Sequence, residues 1–300
     1  MVKKLVDFLV EQSIPFEQNV SGASMTSFRI GGEIKLVAKP QNPSQIKDLY
    51  AFLIDNEIKN VLLGRGTNIL ISDEGFDGVV VLLSELNELK VENGFIFAGA
   101  GVPMLTLAIT AWKNSLTGLE FAHGIPGSVG GGVYMNAGAY GGEMRQVMIS
   151  CECFDKDSGE FVHLENFDCG FAYRHSTFHE KKNLIILSAT FKLSEGDPEE
   201  IRAKMDVLRA SRVEKQPLDY PNAGSTFKRP EGYFPGKLIE DAGLKGYSIG
   251  KAQVSEKHAG FIVNRGGACA NDVKELIEYI QQNVKKKFGV TLECEIEFVE

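Results

Sequence analysis

Two short stretches have the residue types that hold phosphate. Gly64, Arg65, Gly66, Thr67 and Asn68 read GRGTN after an apolar run. Glycine lets successive backbone N–H groups converge on one anion. Gly124, Ile125, Pro126, Gly127, Ser128, Val129, Gly130 and Gly131 read GIPGSVGG, with Ser128 as an added hydroxyl donor. Either stretch alone reads better as a tight turn. Two of them, roughly sixty residues apart, favour a grip on the pyrophosphate of a dinucleotide. The second stretch opens the segment 124–142, which holds eight glycines in nineteen positions. There glycine is mixed with Val129, Val133, Tyr134 and Met135. That is unlike a Gly/Ser linker and suits backbone packed against a ligand.

Other phosphate, metal and redox signatures fail. GRGTNI at 64–69 and GAGVPM at 99–104 lack the third glycine of the Rossmann fingerprint. Gly236-Lys237 and Gly250-Lys251 lack the upstream glycine and the hydroxyl residue of a P-loop. His175 and His179 stand four apart in HSTFH with no glutamate between them, so no metal site is expected. Cys151, Cys153, Cys169, Cys269 and Cys294 are odd in number and form no C-x-x-C. They are expected to pack as free thiols in a reducing, cytoplasmic compartment.

The elements around these stretches alternate. A helix is expected over 43–56, with Ile46, Leu49, Tyr50 and Leu53 on one face. Strands follow at Lys59 to Leu63, Val79 to Leu83 and Phe95 to Ala98, then a helix from Pro103 to Trp112. Met148 to Phe154 and Glu160 to Leu164 read as a hairpin around DKDSG, placing Cys151 and Cys153 on one face. Leu184 to Leu193 reads as a strand, Pro198 to Glu214 as a helix, Asn271 to Phe288 as a helix and Leu292 to Val299 as a closing strand. At 300 residues the length suggests about two domains, and mixed α and β units exclude a sandwich. The net charge of −8 argues against a broad nucleic-acid surface. No apolar run reaches the ~20 residues of a membrane span, and MVKKLVDFLVEQ reads as an amphipathic helix, not a signal peptide.

Six segments, taken in order, resemble the UDP-N-acetylenolpyruvoylglucosamine reductase family. They are GRGTNIL at 64–70, GIPGSVGGGVYMNAGAYGGE at 124–143, AYRHSTF at 172–178, NAGSTFKRP at 222–230, LIEDAGLKGYSIGKAQVSEKHAGFIVN at 238–264 and LECEIEF at 292–298. The resemblance implies an α+β chain with a two-subdomain FAD-binding fold of the vanillyl-alcohol-oxidase/PCMH type. It places the FAD subdomains at 1–78 and 79–196. A C-terminal α+β substrate-binding domain follows at 197–300, and its last strand carries Glu295 to the active site. It implies bound FAD and NADPH as co-substrate. The implied reaction turns UDP-N-acetylglucosamine enolpyruvate into UDP-N-acetylmuramate, in peptidoglycan precursor synthesis, in a cytoplasmic monomer.

The resemblance also assigns residues. Hydride from reduced FAD goes to C3 of the enolpyruvyl group, and Ser225 gives a proton to C2. Arg174 and Glu295 stabilise the enolate between those events; a guanidinium fork suits a planar carboxylate. The motif alone selects Glu295 over Glu293 and Glu297. Lys215, Lys228 and Arg229 are the implied substrate-binding cations, and Tyr173 joins the two glycine stretches as a flavin contact. His258 lies in a family-typical segment without an assigned role. The short HSTFHEKKN after Arg174 marks the branch that lacks an extra tyrosine loop. Two other readings keep the same scaffold: another FAD-dependent sugar or alcohol oxidoreductase, or a nucleotide-binding regulator without turnover.

Overall fold

The structure is a computed structural model that describes residues 2–300. Met1, the first residue of the expected N-terminal helix, lies outside the described residues. The remainder of that helix is Val2–Glu11, which buries Leu5 and Leu9. The chain divides into two compact units, each assembled from three stretches: 1–17, 37–65 and 79–211 in the first, and 18–36, 66–78 and 212–300 in the second.

The first unit is built on a five-stranded antiparallel sheet. Its order is Glu160–Glu165, Met148–Asp155, Leu184–Lys192, Phe95–Gly99, Leu89–Glu92. The hairpin read from DKDSG pairs Ser150 with Glu165 through Asp155 with Glu160. Asp155 caps its turn by accepting from the Asp157 N–H at 3.0 Å, and Gly159 supplies the positive φ of +70° that the turn needs. Alternate residues of Met148–Asp155 face the core, so Cys151 and Cys153 are both buried, with Sγ atoms 3.8 Å apart. Cys169 lies 3.8 Å from Cys151 on the other side. Helix Met104–Lys113 covers this face with Leu107, Ala108 and Ala111.

Helix Pro43–Asp55 forms as expected. Asn42 caps it by accepting from the Gln45 N–H at 3.0 Å, proline stands at its start, and Ile46, Leu49, Tyr50 and Leu53 are buried. It leads into strand Asn60–Leu63, which runs parallel to residues 79–82 and delivers the chain to Gly64.

The glycine-rich segment departs from expectation. Residues Val129–Tyr134 form a short helix with Ser128 as its N-cap, not an open ligand-binding loop. Three glycines in a helix each cost about 1 kcal/mol against alanine. Packing favours two of them: a Cβ on Gly130 would lie 2.9 Å from the Ala100 Cβ, and one on Gly132 would push against the Met104 sulfur at 2.9 Å.

The second unit centres on helix Ala270–Phe288, which buries Val273, Leu276, Ile277, Ile280 and Val284. Against it lies a small antiparallel sheet of Ser248–Ile249, Ala252–Val254 and Ile262–Asn264. The closing strand is shorter than the expected 292–299: only Glu297–Val299 is a strand, parallel to Ile69–Ile71. The reason is a change of partner. The Glu295 N–H donates to the Thr226 carbonyl, whereas the Glu297 N–H donates to the Asn68 carbonyl. Before the switch the chain makes one antiparallel bridge, Phe227 with Cys294. Among the described residues no helix is long and apolar enough to cross a membrane.

Candidate active site

In the first unit Gly64 approaches Ser128 of the second glycine stretch. A Cβ on Gly64 would lie 2.7 Å from the Ser128 hydroxyl oxygen, so glycine keeps this approach open without displacing that hydroxyl. The Ser128 hydroxyl accepts from the Gly131 N–H at 3.5 Å. The anion nest expected from GIPGSVGG is not formed by its next two amides. The Val129 N–H donates to the Val102 carbonyl and the Gly130 N–H to the Ala100 carbonyl, at 2.8 and 2.9 Å. The residues nevertheless fit a dinucleotide in two respects. Gly64 and Gly131 present bare backbone around Ser128. Just upstream of Gly124, the His123 Nδ1 is buried without a hydrogen-bonding partner. Burial and the nearby Arg202 and Arg209 hold the His123 pKa below its ordinary value, so the ring is neutral. Ile125 and Gly127 are half-buried beside this helix, whereas Pro126 and Arg65 are exposed.

Arg174 occupies a tight two-residue turn. The Ala172 N–H donates to the His175 carbonyl at 3.0 Å and the His175 N–H donates back at 3.3 Å, leaving Tyr173 and Arg174 at the tip. Arg174 has φ +53°, a left-handed conformation that costs a side-chain-bearing residue about 1–2 kcal/mol. Its Nη2 donates to the Gly138 carbonyl at 3.0 Å. Tyr173 is 52% exposed, and its ring lies 5.3 Å from the Arg174 guanidinium carbon. Sequence reasoning missed two buried residues here. Asn136 donates to the Ala172 carbonyl, and the Ser176 hydroxyl donates to the Tyr134 carbonyl. His175 and His179, four apart in the sequence, stack on each other, and His179 stacks on Tyr134.

In the second unit Ser225 and Glu295 sit on adjoining segments. Gly224 turns with φ +79°, and Asn222 holds that turn by accepting from the Gly224 N–H at 2.9 Å. The Ser225 hydroxyl is half-buried and donates to the Phe227 carbonyl at 3.2 Å. The next residue, Thr226, is fixed on three sides. Its N–H donates to Gly260, its carbonyl accepts from Glu295, and its hydroxyl accepts from the Ile262 N–H. Asn68 donates its side-chain amide to the Glu295 carbonyl at 2.8 Å, so this residue of GRGTN also holds the glutamate's backbone. Gly66 is set by packing: with φ +60°, a Cβ there would lie 2.0 Å from the Met25 carbonyl oxygen. Thr67 beside it is half-buried.

The three glutamates are now distinguishable. Glu293 is 71% exposed and takes the Lys228 ammonium at 2.5 Å. Glu297 belongs to the strand beside Ile69. Glu295 lies between the two partner segments, its backbone clamped by Thr226 and Asn68. Lys228 therefore has a carboxylate partner, Arg229 lies 4.3 Å over the Phe234 ring, and Lys215 is exposed at the end of helix Pro198–Lys215. His258 acquires a structural role. Its Nδ1 accepts from the Gly260 N–H at 3.1 Å, and the Gly260 carbonyl in turn takes the Thr226 N–H. Burial lowers the His258 pKa, which keeps that nitrogen an acceptor.

Residues 34–165 match the FAD binding domain family, which with this fold defines the class as an FAD-dependent oxidoreductase. Residues 216–299 match the C-terminal domain family of UDP-N-acetylenolpyruvoylglucosamine reductase. The chain is 49% identical over 299 residues to the UDP-N-acetylenolpyruvoylglucosamine reductase of Caldanaerobacter subterraneus subsp. tengcongensis, covering 100% of this chain and 98% of that one. It is 45% identical over 297 residues to the Clostridium novyi reductase, covering 99% and 95%. The crystal structure of the reductase from Thermus caldophilus superposes with a TM-score of 0.82 at 32% identity, covering 96% of this chain and 100% of that one. The chain belongs to the UDP-N-acetylenolpyruvoylglucosamine reductase family.

Proposed function

We propose that Ser225 is the proton donor and that Arg174 and Glu295 stabilise the enolate in the reduction of UDP-N-acetylenolpyruvoylglucosamine. The protein is an FAD-dependent reductase of that substrate, with NADPH as reductant and UDP-N-acetylmuramate as product, in peptidoglycan precursor synthesis. FAD, when bound, would supply hydride transfer from NADPH to the enolpyruvyl group of the substrate. Gly64, Arg65, Gly66, Thr67, Asn68, Tyr173 and residues 124–131 would hold the FAD. Lys215, Lys228 and Arg229 bind the substrate's phosphates.

Hydride arrival at C3 leaves negative charge on C2 and the carboxylate. The Arg174 guanidinium holds that carboxylate in a planar fork. The Ser225 hydroxyl, a weak acid, suffices as donor because an enolate carbon is strongly basic and the proton crosses one hydrogen bond. Glu295 orients and polarises the same group. The observation that carries this reading is the fixed backbone on either side of the reactive groups: Thr226, adjacent to Ser225, receives the Glu295 N–H directly. A rigid support of this kind is what a proton donor needs.

The functional division is 1–78 and 79–196 for FAD and 197–300 for substrate. One chain carries Arg174, Ser225 and Glu295, which supports a monomer as the working unit. Five free cysteines support a cytoplasmic location. The test is stopped-flow flavin spectroscopy on Ser225→Ala. Flavin reduction by NADPH stays near the unsubstituted rate, and reoxidation by the enolpyruvyl sugar slows by about 10²-fold or more. Equal losses in both half-reactions would show that Ser225 only shapes the turn.

A further inference from the structure

We infer that Asn136 is the positioning residue for Arg174, acting through the carbonyl of Ala172. The inference rests on the role given to Arg174 above. Asn136 is 0% exposed and has φ +41°, a left-handed conformation that asparagine tolerates better than most residues. Its carboxamide is fully engaged. Nδ2 donates to the Ala172 carbonyl at 2.9 Å and to Glu143 Oε2 at 2.8 Å, and Oδ1 accepts from the Arg145 N–H at 3.0 Å. With both donors and the acceptor in use, the amide has a single orientation.

Those partners are the supports of the arginine turn. The Ala172 carbonyl also receives the His175 N–H, so the bond that closes the turn over Tyr173 and Arg174 ends on an oxygen that Asn136 holds from beneath. The second anchor of Arg174 is the Gly138 carbonyl, which takes Nη2. Gly138 stands two residues beyond Asn136 and pairs directly with Glu143, the other partner of the amide. One buried side chain thus fixes the root of the turn and the strand pair that presents Gly138. A left-handed arginine persists only where its surroundings over-determine it. Recognition of a planar carboxylate by a guanidinium is sensitive to placement, and a shift of ~1 Å costs about 10²-fold in rate.

The experiment uses the FAD-loaded enzyme and reads the two half-reactions separately, together with FAD content. Asn136→Gly keeps the positive φ and deletes the amide. It is expected to slow reoxidation by the enolpyruvyl sugar by about 10–10²-fold, with FAD content and NADPH-driven reduction nearly unchanged. In an Arg174→Ala background the same substitution should add less than about twofold, because the two residues act as one unit. If Asn136→Gly does not fold, Asn136→Asp combined with Glu143→Gln keeps the shape, removes the donor to Ala172 and is read in the same way. Reoxidation near the unsubstituted rate overturns the inference alone. So does an equal further loss on top of Arg174→Ala, which would show a general packing effect. An Arg174→Ala enzyme that reoxidises normally overturns the assignment of Arg174, and this inference with it.

Discussion

Arg174 and Gly66 both have positive φ, and the physical reasons differ. Arg174 is a side-chain-bearing residue held at +53° by its turn and by Gly138, so its strain is offset by specific bonds. Gly66 has no choice, because the Met25 carbonyl occupies the space of its Cβ at 2.0 Å. Gly66→Ala is therefore expected to destabilise by about 2–4 kcal/mol, from left-handed strain plus backbone displacement. Gly141→Ala is the comparison: its φ is +88° and nothing lies within 4 Å of the added Cβ, so about 1 kcal/mol is expected. Urea unfolding of both variants checks this, and equal losses would mean that the crowding at Gly66 has no effect. GRGTN was legible as a motif from its glycines. That Asn68 spends its side chain on the Glu295 backbone was not legible, because the two residues lie 227 positions apart.

Helices and the hairpin were read from periodicity and turn chemistry, and the structure follows those readings closely. Asn42 before Pro43, and DKDSG between two alternating runs, are local signals with local causes. The C-terminal helix Ala270–Phe288 shows where local signals end. Its first two N–H groups are capped by Asp73, at 2.7 Å to Ala270 and 3.0 Å to Asn271, from nearly two hundred residues upstream. Asp73→Ala is expected to cost about 1–2 kcal/mol through loss of the cap and of a negative charge at the positive helix end. Asp73→Asn, which retains an acceptor, should lose less. The check is the urea midpoint of each variant; indistinguishable midpoints for Asp73→Ala and the unsubstituted protein would refute the capping role. The closing strand is shorter than its alternation predicts, for a related reason. Alternating glutamates from 293 to 297 predict one strand, but the segment changes partners near Ile296.

Across the molecule, half-buried imidazoles set a pH dependence near neutrality. Burial lowers the His258 pKa from 6.5, with Lys245 adding to the shift and Glu240 opposing it. His123 shifts the same way. As pH falls through 6.5 the unfolded chain takes up protons that the folded chain refuses, so stability falls below that pH and is fully present above it. His163 titrates in the opposite sense, raised by Glu152 and Glu165, but it is exposed and screened. The urea midpoint is therefore expected to drop between pH 7 and pH 5. His258→Asn retains an acceptor for the Gly260 N–H and removes the titration, so it should shallow that drop. An identical pH slope in the variant would exclude His258 as a contributor.

The sequence by itself determined the α+β composition, most helices and strands and, through six ordered segments, the family and its cofactor. These features are written locally, in spacing, caps and motif residues that need no distant partner. Tertiary structure decided how the chain is grouped: each compact unit draws on three separate stretches, whereas a linear reading draws contiguous borders. It also decided why the glycines are there. Gly130 and Gly132 answer to Ala100 and Met104, Gly66 to Met25 and Gly64 to Ser128. Asn136 lies inside the segment 124–143, but its part in holding the arginine turn exists only once Ala172 and Glu143 are brought to its amide. Close approach and long-range hydrogen bonding depend on chain segments far apart in sequence, and no local pattern records them.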